Sequence, residues 1–222
     1  MAAYQYSLVF QNNSSNSGTV CVYQLDPSIG VPGALSLAWQ TNYNHPTTNV
    51  VFQWNLAYDF VWFQSGQLAP GTVFLASQVW PTDGSTNNQV TLTKQGGAYT
   101  FTNQTKGAQP GVLYIHTDDT IPAKEASTGI GMSGTGTFVA QAQPNWNLPF
   151  TPNPQYWIAF GTYGQGQVLG STALPGSQQV VYATNVYSMT AILGSDNSWT
   201  IKPTAQTSAA EVLSARPPRP PR

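Results

Sequence analysis

Residues 48–64, TNVVFQWNLAYDFVWFQ, decide the fold class. Val50, Phe52 and Trp54 alternate with Asn49, Val51, Gln53 and Asn55; after a short connection, Phe60 and Trp62 alternate with Asp59, Val61 and Phe63. Side chains of an extended chain point to opposite faces in turn, so the pattern reads as two β-strands, each with one wholly apolar face. A lone hairpin would leave those faces in water, and further strands in a second layer are required. Trp54 and Trp62 are then core. Asn49, Gln53 and Asn55, beside Val51, make an uncharged polar face suited to strand or subunit contacts, and they are the candidate residues for self-association.

The same alternation recurs on both sides of this stretch. Tyr6, Leu8 and Phe10 share a face, as do Leu35, Leu37 and Trp39. Gln95-Gly96-Gly97 links residues 88–94 to 98–103 as a hairpin. The glycines of residues 129–136 predict a bulged or closely approached strand. Residues 144–154 hold four prolines and are expected to be irregular; residues 163–177 read as a glycine-rich loop. Roughly a dozen short strands punctuated by Gly, Pro and Asn predict an all-β, antiparallel two-sheet β-sandwich or jelly roll. It is expected as a single domain over residues 1–204. From residue 205 the β pattern fades, apart from one helical turn at residues 207–214, and the chain ends in RPPRPPR. This is expected as a disordered or polyproline II tail, suited to be a PxxP-type ligand or an anionic-surface tether, or simply solvated.

Composition narrows the function. Of 222 residues 41% are hydrophobic, ample for a core, but only 7% are charged, against roughly 25% in an ordinary soluble domain. Asn and Gln number 35. A net charge of −1 leaves little repulsion between copies and no basic footprint for nucleic acid. A homo-oligomer is therefore expected. No run approaches the roughly 20 apolar residues of a membrane span. MAAYQYSLVF lacks the basic and long apolar regions of a signal peptide, so a cytoplasmic location is expected, with other export routes open. The one cysteine, Cys21, alternates in phase with Thr19 and Tyr23 and reads as a small buried hydrophobe.

Catalytic patterns are sparse. His116, Asp118 and Asp119 carry metal-ligand chemistry, though their spacing matches no known binding loop and a capped turn with exposed carboxylates is the better explanation. Paired carboxylates could hydrolyse glycosides, but Asp26, Asp83 and Asp196 stand in turn contexts where Asp has a local structural role. Gly131-Met132-Ser133-Gly134 lacks the spacing of a nucleophile elbow, and no phosphate loop is present. No cofactor is called for, and catalysis is not expected. Trp80, Trp146 and Tyr163, with Tyr43, lie outside clean alternation. Aromatics beside Asn and Gln can stack on sugars, so these are the candidate ligand-binding residues, with glycans as possible partners. Their alternative is a loop folded over the sandwich end.

Five passages resemble the rhizosphere-expressed RhiA family of rhizobia and related bacteria: YSLVFQNNSSNSGTVCVYQLDP (6–27), GVPGALSLAWQT (30–41), SQVWPTD (77–83), GIGMSGTGTFVAQAQPN (129–145) and PQYWIAFGTYGQG (154–166). The resemblance implies a soluble bacterial protein made under cell-density control and linked to life around plant roots. It implies no reaction, cofactor or catalytic residue, and RPPRPPR is not part of the family pattern. The expected function is a non-enzymatic, self-associating structural or interaction protein; the alternative is a carbohydrate-binding β-sandwich module.

Overall fold

The computed structural model describes residues 5–204, and among these it contains strands and no helix. In chain order the strands are β1 (Gln5–Asn12), β2 (Gly18–Leu25), β3 (Leu35–Asn44), β4 (Asn49–Asn55), β5 (Tyr58–Phe63) and β6 (Gln78–Pro81). There follow β7 (Gln89–Gln95), β8 (Ala98–Thr105), β9 (Leu113–Thr117), β10 (Ser127–Met132), β11 (Thr135–Gln141) and β12 (Trp146–Phe150). The last are β13 (Gln155–Gly161), β14 (Val168–Gly170), β15 (Gln178–Val180), β16 (Ser188–Leu193) and β17 (Trp199–Pro203).

These strands form one nine-stranded sheet, ordered β15-β13-β2-β3-β11-β10-β5-β6 with β14 on β3, and two four-stranded sheets, β17-β16-β1-β4 and β12-β9-β7-β8. Pairing is antiparallel except for β1 with β16 and β7 with β9. The fold is thus all-β and layered like a sandwich, with its second layer divided in two. Phe60, Trp62, Ile130 and Phe138 of the large sheet meet Leu92, Phe101, Ile115 and Phe150 of one small sheet. Val20, Val22, Trp39 and Ile158 meet Leu8, Phe10, Phe52 and Trp54 of the other. Tyr58, in register with Met132, packs against both cores. The opposite face of the large sheet is covered by connections, with Phe74, Leu68 and Leu174 lying over Val61, Val139 and Tyr23.

The opening stretch is split between layers. β4 joins a small sheet through β1, whereas β5 joins the large sheet through β10 and β6. Two adjacent aromatic strands therefore seed both layers. The Gly96-Gly97 turn has φ of 59° and 85° at its two centres, the geometry of a tight hairpin whose twist suits its strands. Gly129 lies so close to the Phe138 carbonyl that a Cβ would collide with backbone, and the β10–β11 pairing slips at Ile130–Gly131.

The proline-rich residues 144–154 are not wholly irregular: β12 runs through Pro149. Tyr114, opposite Pro149, gives its N–H to Asn88 on the far side, so the ring nitrogen of Pro149 faces away from β9. β12 is an edge strand, where no partner needs that N–H. The glycine-rich loop also contains a strand, β14, and residues 72–76 form only the isolated bridge Val73–Gln167. The tail and its expected turn at residues 207–214 lie outside the described residues.

Candidate functional site

Two surfaces stand out, and they meet at the end of β4. The first is β4 itself, the terminal strand of its sheet. Phe52 and Trp54 point inward and are buried, while Asn49, Val51, Gln53 and Asn55 point outward and are exposed. Opposite them on β1 stand Gln11, Val9, Ser7 and Gln5, so the outer face is uncharged across both strands. The Ser7 N–H turns to Tyr187 on the β16 side, and the Gln53 carbonyl, opposite Ser7, accepts from Gln40 Nε2 at 3.4 Å. In an antiparallel ladder this alternation directs the peptide groups of Asn49, Val51, Gln53 and Asn55 away from β1. The edge thus carries outward-directed backbone groups, of which the Gln53 carbonyl is engaged by Gln40, together with amides and Val51, which is 53% exposed.

The second surface is a groove lined by tyrosines. One hollow of about 410 Å³ is walled by Tyr6, Tyr58, Tyr156, Tyr182 and residues 152–155. A second, of about 420 Å³, shares Tyr6, Leu56 and Tyr58 and runs on to Thr82, Asp83 and Gly84. Each lies within the roughly 300–1,000 Å³ range of small-ligand sites. The rings brace one another: Tyr6 stacks on Trp54 at 6.2 Å and meets Tyr182 edge-on at 5.1 Å, and Trp54 lies 5.1 Å from Tyr156. The Tyr182 hydroxyl donates to the Ser7 carbonyl at 2.9 Å. The Trp54 indole N–H and the Tyr156 hydroxyl are close neighbours but unaligned, and neither has a hydrogen-bond partner. Burial pushes the Tyr156 phenol up to about 12 and raises Tyr58 and Tyr182 further, helped by the neighbouring phenols. All three are neutral in ordinary buffers. At the mouth, the Thr86 hydroxyl and the N–H groups of Asn87, Ser85 and Thr86 hold the exposed Asp83 carboxyl well below the usual range.

Sequence reasoning placed Tyr6 and Trp54 on strand faces and did not anticipate the groove. Its walls come from β1, the β4–β5 connection, residues 81–84, β13 and β15, which only the topology brings together. The candidate sugar-stacking rings are instead dispersed. Trp80 packs on the first core 5.9 Å from Phe101, Trp146 packs beside that core with its backbone N–H donating to Thr117 Oγ1, and Tyr163 lies over Cys21 and Tyr23. Tyr43 is 61% exposed, edge-on to His45. No two of the four share a hollow described above.

Nor do His116, Asp118 and Asp119 gather into a ligand set. Among the described residues no group of three or more His, Cys, Asp or Glu is arranged for a metal. His116 Nδ1 lies 2.8 Å from Asn147 Oδ1, and Asp118 accepts from the N–H and hydroxyl of Thr120. Partial burial works to raise Asp118, but the Thr120 and Thr93 hydroxyls, the Thr120 N–H and His116 outweigh it and lower its pKa. The same device, a carboxylate capping the N–H two residues on, serves Asp26 with Ser28, Asp83 with Ser85 and Asp196 with Ser198. Glu125 is held by Lys94 at 2.7 Å and by Tyr99.

The family model RhiA matches residues 3–204, nearly the whole described fold. The chain belongs to the RhiA family. A relative, Protein RhiA of Rhizobium leguminosarum bv. viciae, is 40% identical over 202 residues, covering 90% of this chain and 87% of that protein. No solved structure matches this chain. The RhiA match takes in β4 and every wall of the groove, and it ends at residue 204, before the arginine-bearing segment. Among the described residues of this chain no helix is long and apolar enough to cross a membrane.

Proposed function

We propose that this RhiA-family chain is a non-enzymatic interaction protein of a plant-associated or soil bacterium that assembles with copies of itself along β4. The observation that carries this reading is the outward edge of β4. An edge strand is a template for another strand, and natural proteins blunt it with charge, proline or a bulge. β4 has none of these over Asn49–Asn55. A second β4 would meet its outward peptide groups, displacing the Gln40 amide from the Gln53 carbonyl, and the amides of Asn49, Gln53 and Asn55 would bond across the join around Val51. A net charge of −1 adds little opposition. The non-enzymatic part is supported by the carboxylates, four of which cap turns and one of which is ion-paired. Production under cell-density control and a cytoplasmic location complete the proposal; both rest on the family likeness and the sequence.

Sedimentation velocity and electron microscopy over a concentration series test it. Large species are expected to grow with concentration and to be lost in Val51→Lys/Gln53→Lys, whose charges sit on exposed positions and leave the fold intact. A native chain that stays monomeric at the highest attainable concentration removes the proposal. The second reading, neutral-glycan binding, is favoured by the tyrosine rings and the Asn153, Gln155 and Gln179 amides of the groove. Retention on a glycan array that Tyr182→Ala abolishes would support it, and a blank array would count against it.

A further inference from the structure

The groove suits an elongated partner, and the chain itself carries one. Residues 216–222, RPPRPPR, hold all three arginines of the sequence. A polyproline II helix turns once every three residues and rises about 3.1 Å per residue. In that form Arg216, Arg219 and Arg222 would fall along one edge, and the four prolines would make an apolar ridge on the other two. We propose that this segment docks as a polyproline II helix in the tyrosine groove of its own chain.

The chemistry matches one of the recurring modes of peptide recognition, in which proline rings seat between aromatic side chains of a shallow groove. Tyr6, Tyr58 and Tyr182 supply the rings, and the two hollows flanking Leu56 give successive turns of the helix a place each. Charge matches as well. Setting aside the three arginines and Glu211, residues 1–204 keep four basic and seven acidic residues, a net charge of −3. No Lys, Arg or His lines either hollow, and Asp83 stands ionised at one mouth. Guanidinium groups can pair with that carboxylate and lie on tyrosine faces.

The exit point is also right. The Thr204 N–H donates to the Ser188 carbonyl at 3.0 Å, and Ser188 is in register with Ser7, their hydroxyls 2.8 Å apart. Ser7 follows the groove residue Tyr6 and accepts from the groove residue Tyr182. Two strand spacings, about 10 Å, therefore separate the last described residue from the groove wall. The eleven residues 205–215 can span at most about 40 Å, several times what is needed. Attachment to the same chain raises the local concentration to roughly the millimolar range, so even weak docking is populated.

The test uses the full chain, held below the concentration at which it assembles, with a nitroxide on Ser214→Cys; Cys21, fully buried, stays unlabelled. Broadening of the amides of Leu56, Ala57, Tyr58 and Gly84 is expected, and none when labelled, isotope-silent chains are mixed with unlabelled, isotope-enriched ones. Arg216→Ala/Arg219→Ala/Arg222→Ala and, separately, Leu56→Arg on a 49%-exposed position are each expected to remove the broadening. Free RPPRPPR peptide should bind the arginine-free variant at the same amides, about tenfold or more weakly once Leu56→Arg is added. Broadening that is absent, spread over other faces, or present only between chains overturns the proposal.

Discussion

A thiolate at Cys21 or a phenolate at Tyr156 would form cut off from water, and that cost outweighs the nearby Trp54 N–H. Cys21 is fully buried under Trp157 and Tyr163, and burial lifts its thiol from 9.0 to about 12; Tyr156 is lifted from 10.0 to about 12 for the same reason. Both acids hold their protons more tightly folded than unfolded. Their contribution to stability is therefore complete below the unfolded values and is lost as pH rises through 9 and 10 towards 12. Alkaline titration should show thiol reactivity and the absorbance of the buried phenols appearing together, in one cooperative step that coincides with loss of the β signal. Stoichiometric labelling of Cys21 in the folded protein near pH 8 would contradict this. Alternation with Thr19 and Tyr23 was enough to read Cys21 as core. Tyr156 and Tyr182 offered no such signal, because their groove exists only once β13 and β15 lie beside β1 and β4.

At the scale of elements, what was legible depended on whether the cause was local. The close approach in β10 was readable because Gly129 answers a local demand: it has no room for a Cβ against the Phe138 carbonyl, and both neighbours are backbone in the middle of the large sheet. The turn at Ser133–Gly134 that divides residues 129–136 between β10 and β11 was not expected. Gly129→Ala is expected to cost about 3 kcal/mol, by forcing strands apart rather than by changing propensity. Urea unfolding should show a lower midpoint with an unchanged slope, and a loss under about 1 kcal/mol would mean that the sheet yields there. β12 misled because prolines argue against a strand only where an N–H is needed, and edge position is a property of the finished sheet. The split of the second layer was hidden for the same reason, since the alternation in β4 and β5 shows an apolar face without saying which sheet each strand joins.

Across the whole molecule, charge is so scarce that the two proposed interactions should answer differently to salt. The β4 face carries no ionisable group over Asn49–Asn55 or the facing residues of β1, so screening has nothing there to act on. The screening length falls from about 10 Å at 0.1 M salt to about 3 Å at 1 M. Over that range the midpoint concentration for assembly should move by less than about threefold, or tighten slightly as salt strengthens apolar burial. Docking of residues 216–222 draws on three arginines and a net −3 body, and the spin-label broadening should fade over the same titration. pH separates them again. Asp83 is held below the usual carboxylate value of 3.8, so its charge survives through mildly acid buffers and docking should persist down to about pH 4. Steep weakening of assembly with salt would move the contact away from β4 to a charged surface. Docking indifferent to salt would leave the prolines alone to hold the segment and remove Asp83 from its recognition.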